Sequence, residues 1–85
     1  MKTLIIIPAY NEESNIKNVI EIIKKTCPTY DYVVVNDASK DEMLQVLINE
    51  DYNYIDLPVN LGIGGAVQSG YMYAWEKGYD IAVQM

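Results

Sequence analysis

Three short stretches of this sequence combine residue types able to recognise a polar, ring-bearing ligand. The first, Pro8-Ala9-Tyr10-Asn11-Glu12-Glu13, sets an aromatic face able to lie along a heterocyclic base beside two carboxylates and the backbone donors of a helix start. The second, Asn36-Asp37-Ala38-Ser39, supplies a carboxylate that, ionised, only accepts hydrogen bonds and so suits a base N–H or a ribose hydroxyl. The third, Asn60-Leu61-Gly62-Ile63-Gly64-Gly65-Ala66, is glycine-rich: its backbone can approach a ligand closely, and the unpaired N–H groups of a following helix favour an anion. Each stretch has a plain structural alternative. A proline can simply stop a strand, an aspartate can stabilise a turn, and glycines can let a loop pack tightly on a sheet.

Composition narrows the chemistry. The 85 residues contain no histidine, which removes histidine general-base catalysis, Ser/His/Asp triads and His-liganded zinc from this chain. Twelve acidic residues against six basic ones give a net charge of −6, and the pI is near 4.3. Binding that tracks nucleic-acid phosphates rests on clustered Lys and Arg, so no nucleic-acid partner is expected. Cys27 has no partner for an internal disulfide and lies in no CxxC pair, which points to a reducing, cytoplasmic setting and a half-buried structural thiol. The apolar run near the N-terminus is too short for a signal peptide or for a membrane span of about 20 residues, so no membrane segment is expected in this chain.

The elements that must carry these stretches follow from periodicity. Leu4 to Ile7 is a continuous aliphatic run of the kind buried on both faces of a parallel sheet, stopped by Pro8. Asn11 as N-cap, then Ile16, Val19, Ile20 and Ile23 at helical spacing, predict a helix from Glu12 to Thr26. Tyr32 to Val35 is a second strand. Ser39 and Glu42 form a capping box before a helix that ends near Asn49. Tyr54 to Leu57 is a short third strand stopped by Pro58; a third helix follows the glycine loop and closes at Gly78, and Ile81 to Met85 begins a fourth strand. The order βαβαβαβ, with crossovers long enough for right-handed parallel connections, predicts an α/β doubly wound sheet. In such sheets ligands bind beyond the carboxyl ends of the strands, where all three polar stretches fall. A dinucleotide GxGxxG would follow the first strand and a GxxxxGK[ST] loop is absent, so NAD-type and ATPase readings fall away.

Taken in order, IPAYNEE after the first strand, VVVNDAS after the second and NLGIGGAVQSGY before the third helix resemble the family 2 glycosyltransferases, which include dolichol-phosphate mannosyltransferases and many bacterial polysaccharide enzymes. The resemblance spans nearly the whole chain. It implies a Rossmann-like GT-A fold of the inverting type, with residues 1–85 as the N-terminal nucleotide-binding portion of one catalytic domain. It implies a nucleotide pocket lined by Pro8, Ala9, Tyr10 and Glu12, backbone contact from Val35, and Asp37 holding the base or ribose of a nucleoside-diphosphate sugar. Gly62, Gly65 and Gln68 would face the nucleotide from the glycine stretch. An acidic pair commonly ends the second strand in that family, whereas Asn36 occupies the first of those positions here. Where many relatives carry Lys or Arg near the glycines, this chain has Ile63 and Gln68, which cannot neutralise a diphosphate.

The resemblance further implies an Asp-any-Asp motif directly after the strand beginning at Ile81, binding Mg²⁺ or Mn²⁺ against the donor diphosphate. An acidic general base would lie further on. Both are expected beyond Met85, so no residue here is expected to be catalytic, this chain alone is expected to bind no metal, and its last strand is expected to self-associate through an open edge. The implied reaction is sugar transfer to an acceptor hydroxyl or lipid phosphate. Two other readings stay open: a non-catalytic α/β binding or interaction module with no nucleotide preference, and a sugar-nucleotide pyrophosphorylase, whose basic, glycine-rich loop after the first strand Pro8-Ala9-Tyr10-Asn11 does not match.

Overall fold

The computed structural model describes residues 1–85. In chain order the elements are β1 (Thr3–Ala9), α1 (Ile16–Thr26), β2 (Asp31–Asn36), α2 (Met43–Asn49), β3 (Tyr54–Asp56), α3 (Gly62–Glu76) and β4 (Ile81–Gln84). All strands are parallel and lie in the order β3-β2-β1-β4. The chain therefore moves outward from β1 through β2 to β3, then crosses back to place β4 on the opposite side of β1. That reversal makes the carboxyl end of β1 the switch point of a doubly wound sheet, where a crevice must open.

Strand alternation sorts the core into two layers. Ile5, Ile7 and Ala9 of β1 join Tyr32 and Val34 of β2 on one face, covered by Ile16, Ile20 and Ile23 of α1 and by Met43 and Leu47 of α2. Leu4 and Ile6 with Val33 and Val35 form the other face, covered by Ala66 and Ala74 of α3. The buried stripe of α3 is Ala66, Gly70 and Ala74. Three small residues at four-residue spacing let this helix approach the sheet more closely than a leucine-faced helix would. No helix is long and apolar enough to cross a membrane.

Several boundaries differ from the sequence expectation. β1 runs through Pro8 to Ala9, with Pro8 opposite Val35. Pairing with β4 extends only to Ile6↔Gln84, so the side of Pro8 that lacks an N–H faces no neighbouring strand. Helix α1 starts at Ile16 rather than Glu12; Asn11 is not its cap but sits at φ 54°, in the left-handed region. Ser39 and Glu42 form no capping box: Ser39 Oγ accepts from the Asn11 amide across the loops, and Asp41 Oδ1 accepts from the Met43 amide at 3.0 Å instead. β3 stops at Asp56 and β4 at Gln84. The glycine stretch is not a loop before α3 but its first turn, which begins at Gly62 with φ +76°.

Candidate functional site

At the carboxyl ends of β1 and β2, under the first turn of α3, a cleft of about 230 Å³ is lined by Pro8, Ala9, Tyr10, Glu12, Asp37, Ile63 and Ala66. Its walls come from three separate elements, and each is where it is for a local reason. Pro8 and Ala9 extend β1 past the point where β4 pairs. Glu12 begins the turn into α1, its carbonyl accepting from the Asn15 and Ile16 amides at 3.0 and 2.9 Å, which leaves its side chain free to face the cleft. Ile63 and Ala66 come from the first turn of α3. A broader depression of about 600 Å³, lined by Asn11, Glu13, Ser14, Lys40 and Asp41, lies nearby. Neither an aromatic ring nor a buried carboxylate faces it, so the smaller cleft is the chemically distinctive one.

Asp37 is the centre of the cleft. It is 4% exposed, the one charged side chain among the buried residues. Its amide donates to the Ala9 carbonyl at 3.0 Å, which ties the end of β2 to the end of β1. Its carboxylate Oδ1 accepts from the Leu61 amide at 2.7 Å, and its carbonyl accepts from Asn60 Nδ2 at 3.1 Å. Asp37 thus caps α3 from across the sheet, where a negative charge is favoured by the helix dipole. The Gly62 amide is taken by Asn60 Oδ1 at 3.1 Å. Two of the leading N–H groups of α3, those of Leu61 and Gly62, are therefore already taken by acceptors within the chain, which shortens the row of donors that the glycines suggest.

Asn36, in the position beside Asp37, is 2% exposed. Its amide nitrogen donates to Asp56 Oδ1 at 3.0 Å and its oxygen accepts from the Ser39 amide at 3.3 Å. The charge missing from position 36 stands at the end of β3 instead, and a neutral amide is what can donate to it.

The structure brings Pro8, Ala9, Tyr10, Glu12 and Asp37 together. Val35 lies beneath them, its side chain fully buried against the α3 layer and its strand flanked by Pro8 and Ile55. Gly62 forms the turn into α3, where its positive φ suits a residue without Cβ. Gly65 faces its own helix: a Cβ there would meet Leu61 Cβ at 2.5 Å. Gln68 is outside the cleft, in a surface depression with Tyr71, Met72, Trp75 and Glu76 on the outer side of α3. Ile63 and Ala66, within the glycine stretch, line the cleft with side chains rather than with the approaching backbone of a loop, because the stretch is helical from Gly62, and Asn60 serves the turn into that helix.

The cleft carries two carboxylates, Glu12 and Asp37, and no basic side chain. Nowhere do three His, Cys, Asp or Glu side chains converge in a way that could hold a metal ion. Glu12 and Asp37 by themselves do not make a set of ligands for the divalent ion that the sequence resemblance implies. A buried, fixed carboxylate at Asp37 and an exposed one at Glu12, with no basic side chain beside them, suit N–H and O–H donors of a ligand and oppose its anionic parts.

Comparison with known proteins agrees with this architecture. A mannosyltransferase from Pyrobaculum calidifontis, solved in complex with GDP-Man and Mn²⁺, superposes with a TM-score of 0.77 at 19% identity, covering 86% of this chain and 24% of that one. Glucosyl-3-phosphoglycerate synthase from Mycobacterium tuberculosis, solved with UDP, gives 0.73 at 21% identity over 98% of this chain and 33% of that one. The fold is the Rossmann-like GT-A fold, and the four-stranded unit corresponds to its N-terminal portion. The model of glycosyl transferase family 2 matches residues 4–79, and the chain belongs to that family. It is 32% identical to the undecaprenyl-phosphate mannosyltransferase of Micrococcus luteus over all of this chain and 37% of that protein. It is 35% identical to the UDP-N-acetylglucosamine–dolichyl-phosphate N-acetylglucosaminyltransferase of Methanococcus voltae, over 93% of this chain and 38% of that protein. The chain spans somewhat more than a third of the length of these two relatives.

Proposed function

We propose that residues 1–85 are the nucleotide-binding portion of a single GT-A catalytic domain, and that the cleft at Asp37 holds the base and ribose of a nucleoside-diphosphate sugar. The parent reaction in this reading is transfer of the sugar to an acceptor hydroxyl or a lipid phosphate. The observation that carries it is the buried Asp37 carboxylate, fixed by α3 at the mouth of the sheet, with Tyr10 and Glu12 on the facing wall. Family membership and the nucleotides bound by the structural neighbours support the same reading. The absence of any cation in the cleft argues that the diphosphate lies outside it: two carboxylates would repel those phosphates, whereas base N–H and ribose hydroxyl groups find acceptors there. A divalent metal of the whole enzyme would then be held by residues other than these. The polyprenyl-phosphate chemistry in the names of the relatives makes the inner face of a membrane a reasonable place of action for the parent, with this portion on the cytoplasmic side. The outer edge of β4, with Ile81 and Val83 partly exposed, is the surface through which this chain would self-associate.

A second reading has a specific observation behind it: the 2.7 Å bond to Leu61 would suit an Asp37 that does nothing but cap α3. Calorimetric titration of the chain with UDP, GDP and inorganic pyrophosphate separates the two. Nucleotide-binding requires UDP or GDP to bind more tightly than pyrophosphate. It also requires Asp37→Asn, whose side-chain oxygen still accepts from Leu61, to weaken nucleotide binding by about 10-fold or more, as expected for a lost charge-assisted hydrogen bond of roughly 1.5–3 kcal/mol. Equal, weak binding of all three ligands would favour the cap-only module.

A further inference from the structure

The loop after β1 and the loop after β2 are stitched together by side chains rather than by strand pairing. The Asn11 amide donates to Ser39 Oγ at 3.0 Å, and in return the Lys40 amide donates to Asn11 Oδ1 at 2.8 Å. Two residues on, the Glu13 amide donates to Asp41 Oδ2 at 3.2 Å, while the other oxygen of that carboxylate takes the Met43 amide. Together with the bond from the Asp37 amide to the Ala9 carbonyl, the first loop is tied at residues 9, 11 and 13. The residues between those ties, Tyr10 and Glu12, are the ones that face the cleft. Tyr10 and Glu12 are thus each held from both sides along the chain.

The conformation that permits this is unusual for residues other than glycine. Asn11 and Ala38, one in each loop, have φ of 54° and 56°. Asparagine tolerates the left-handed region better than other side chains with a Cβ. At position 11 it also supplies the oxygen that Lys40 needs. Glycine would satisfy the backbone but not the bond; alanine would lose the bond and take up the left-handed backbone at a cost; aspartate would satisfy both.

We propose that Asn11 is a positioning residue for the nucleotide cleft: it clasps the two loops so that Tyr10 and Glu12 stand at a fixed separation from Asp37 before any ligand arrives. This rests on the cleft being a nucleotide site. Asn11 touches no ligand in this scheme, and its effect on affinity comes from preorganisation, since a loop already held need not be ordered on binding. The position is distinct from the cleft residues, which would contact the nucleotide directly.

The variants Asn11→Gly, Asn11→Ala and Asn11→Asp test it in the same titration with UDP and GDP, alongside hydrogen exchange of the Lys40 amide. The expected result is slowed exchange at Lys40 in the native chain, lost in Asn11→Gly. Nucleotide affinity should fall by about five- to tenfold in Asn11→Gly, the size of one net hydrogen bond, and further in Asn11→Ala. Asn11→Asp should restore both protection and affinity to within about threefold of native, which a general loss of folding would not do. If Asn11→Gly loses protection at Lys40 yet binds nucleotide as the native chain does, the clasp is structural and the proposal is wrong. If native Lys40 exchanges freely, there is no clasp and the proposal is equally overturned. Should the native chain itself bind neither nucleotide, the cleft assignment fails, and the positioning role falls with it.

Discussion

Gly70 lies in α3 where that helix crosses β1, and a methyl group there would sit 2.4 Å from Ile6 Cγ2, 3.0 Å from Cγ1 and 3.1 Å from Cδ1. Ordinary contact begins at 3.4 Å, so Gly70→Ala requires the helix and strand to separate by about 1 Å at this point. Ile6 cannot swing aside: it is fully buried in a strand with neighbours on both sides, and its branched Cβ leaves few alternative rotamers. Overpacking of a core costs roughly 1–3 kcal/mol, and a clash between atoms this close to two backbones belongs at the upper end. Against that stands the gain of about 1 kcal/mol from replacing glycine by alanine inside a helix. The net expectation is destabilisation by about 1–2 kcal/mol. For a domain of this size that lowers Tm by about 4–16 °C. Gly64→Ala is the matched control, because it changes the same residue type in the same helix with nothing within 4 Å. It should stabilise by up to about 1 kcal/mol. Urea and thermal unfolding followed by circular dichroism would read both variants. In the Gly70→Ala background, Ile6→Ala should cost less than it does alone, with a coupling of at least about 1 kcal/mol. If both glycine variants shift stability in the same upward direction, α3 does not seat on Ile6 and the packing argument is wrong.

Asn36→Asp would set a second carboxylate at the 3.0 Å contact with Asp56 and remove its donor. We expect a loss of roughly 1–3 kcal/mol at neutral pH. Relative to the native chain, the variant should recover stability as pH falls toward about 3.9, since a carboxyl whose proton is retained on folding contributes stability that disappears as pH rises. At the opposite end of the sheet, Tyr79 donates its hydroxyl proton to Asp31 Oδ2 at 2.7 Å; burial first, then that bond and the nearby aspartate charge, push the phenol up to about 12. Its contribution is complete below the ordinary tyrosine value of about 10 and is lost as pH rises through about 12, so native stability should fall more steeply than that of Tyr79→Phe between those values. Finally, the free edge of β4 predicts concentration-dependent association of this chain, reduced by Val83→Lys; light scattering that shows only monomer at high concentration would contradict it.

How much of this was legible in the residues depends on whether the governing interaction is local. Continuous aliphatic runs mark β1 and β2 because a strand covered on both faces must be apolar throughout, and the period of Ile16, Ile20 and Ile23 marks α1 because one helix face must be. The βαβ order and its parallel sheet follow from those runs and the lengths between them. Cap positions did not follow. Asn11, Ser39 and Asp41 all have side chains able to cap a helix start, and only the approach of two loops separated by 28 residues decides that Asn11 and Ser39 bond to each other while Asp41 serves α2. The start of α3 is not legible locally for a related reason: glycine has a poor intrinsic helix propensity, but the seat of Ala66, Gly70 and Ala74 on the sheet and the Asp37 cap supply what the local chain lacks. The sequence by itself determined the fold class and the identity of the polar residues beyond the strands. Only the tertiary structure decided that Asp37 is both the cap of α3 and the floor of the cleft, and that Gln68 stands outside it, because both depend on the phase at which one helix lies across the sheet.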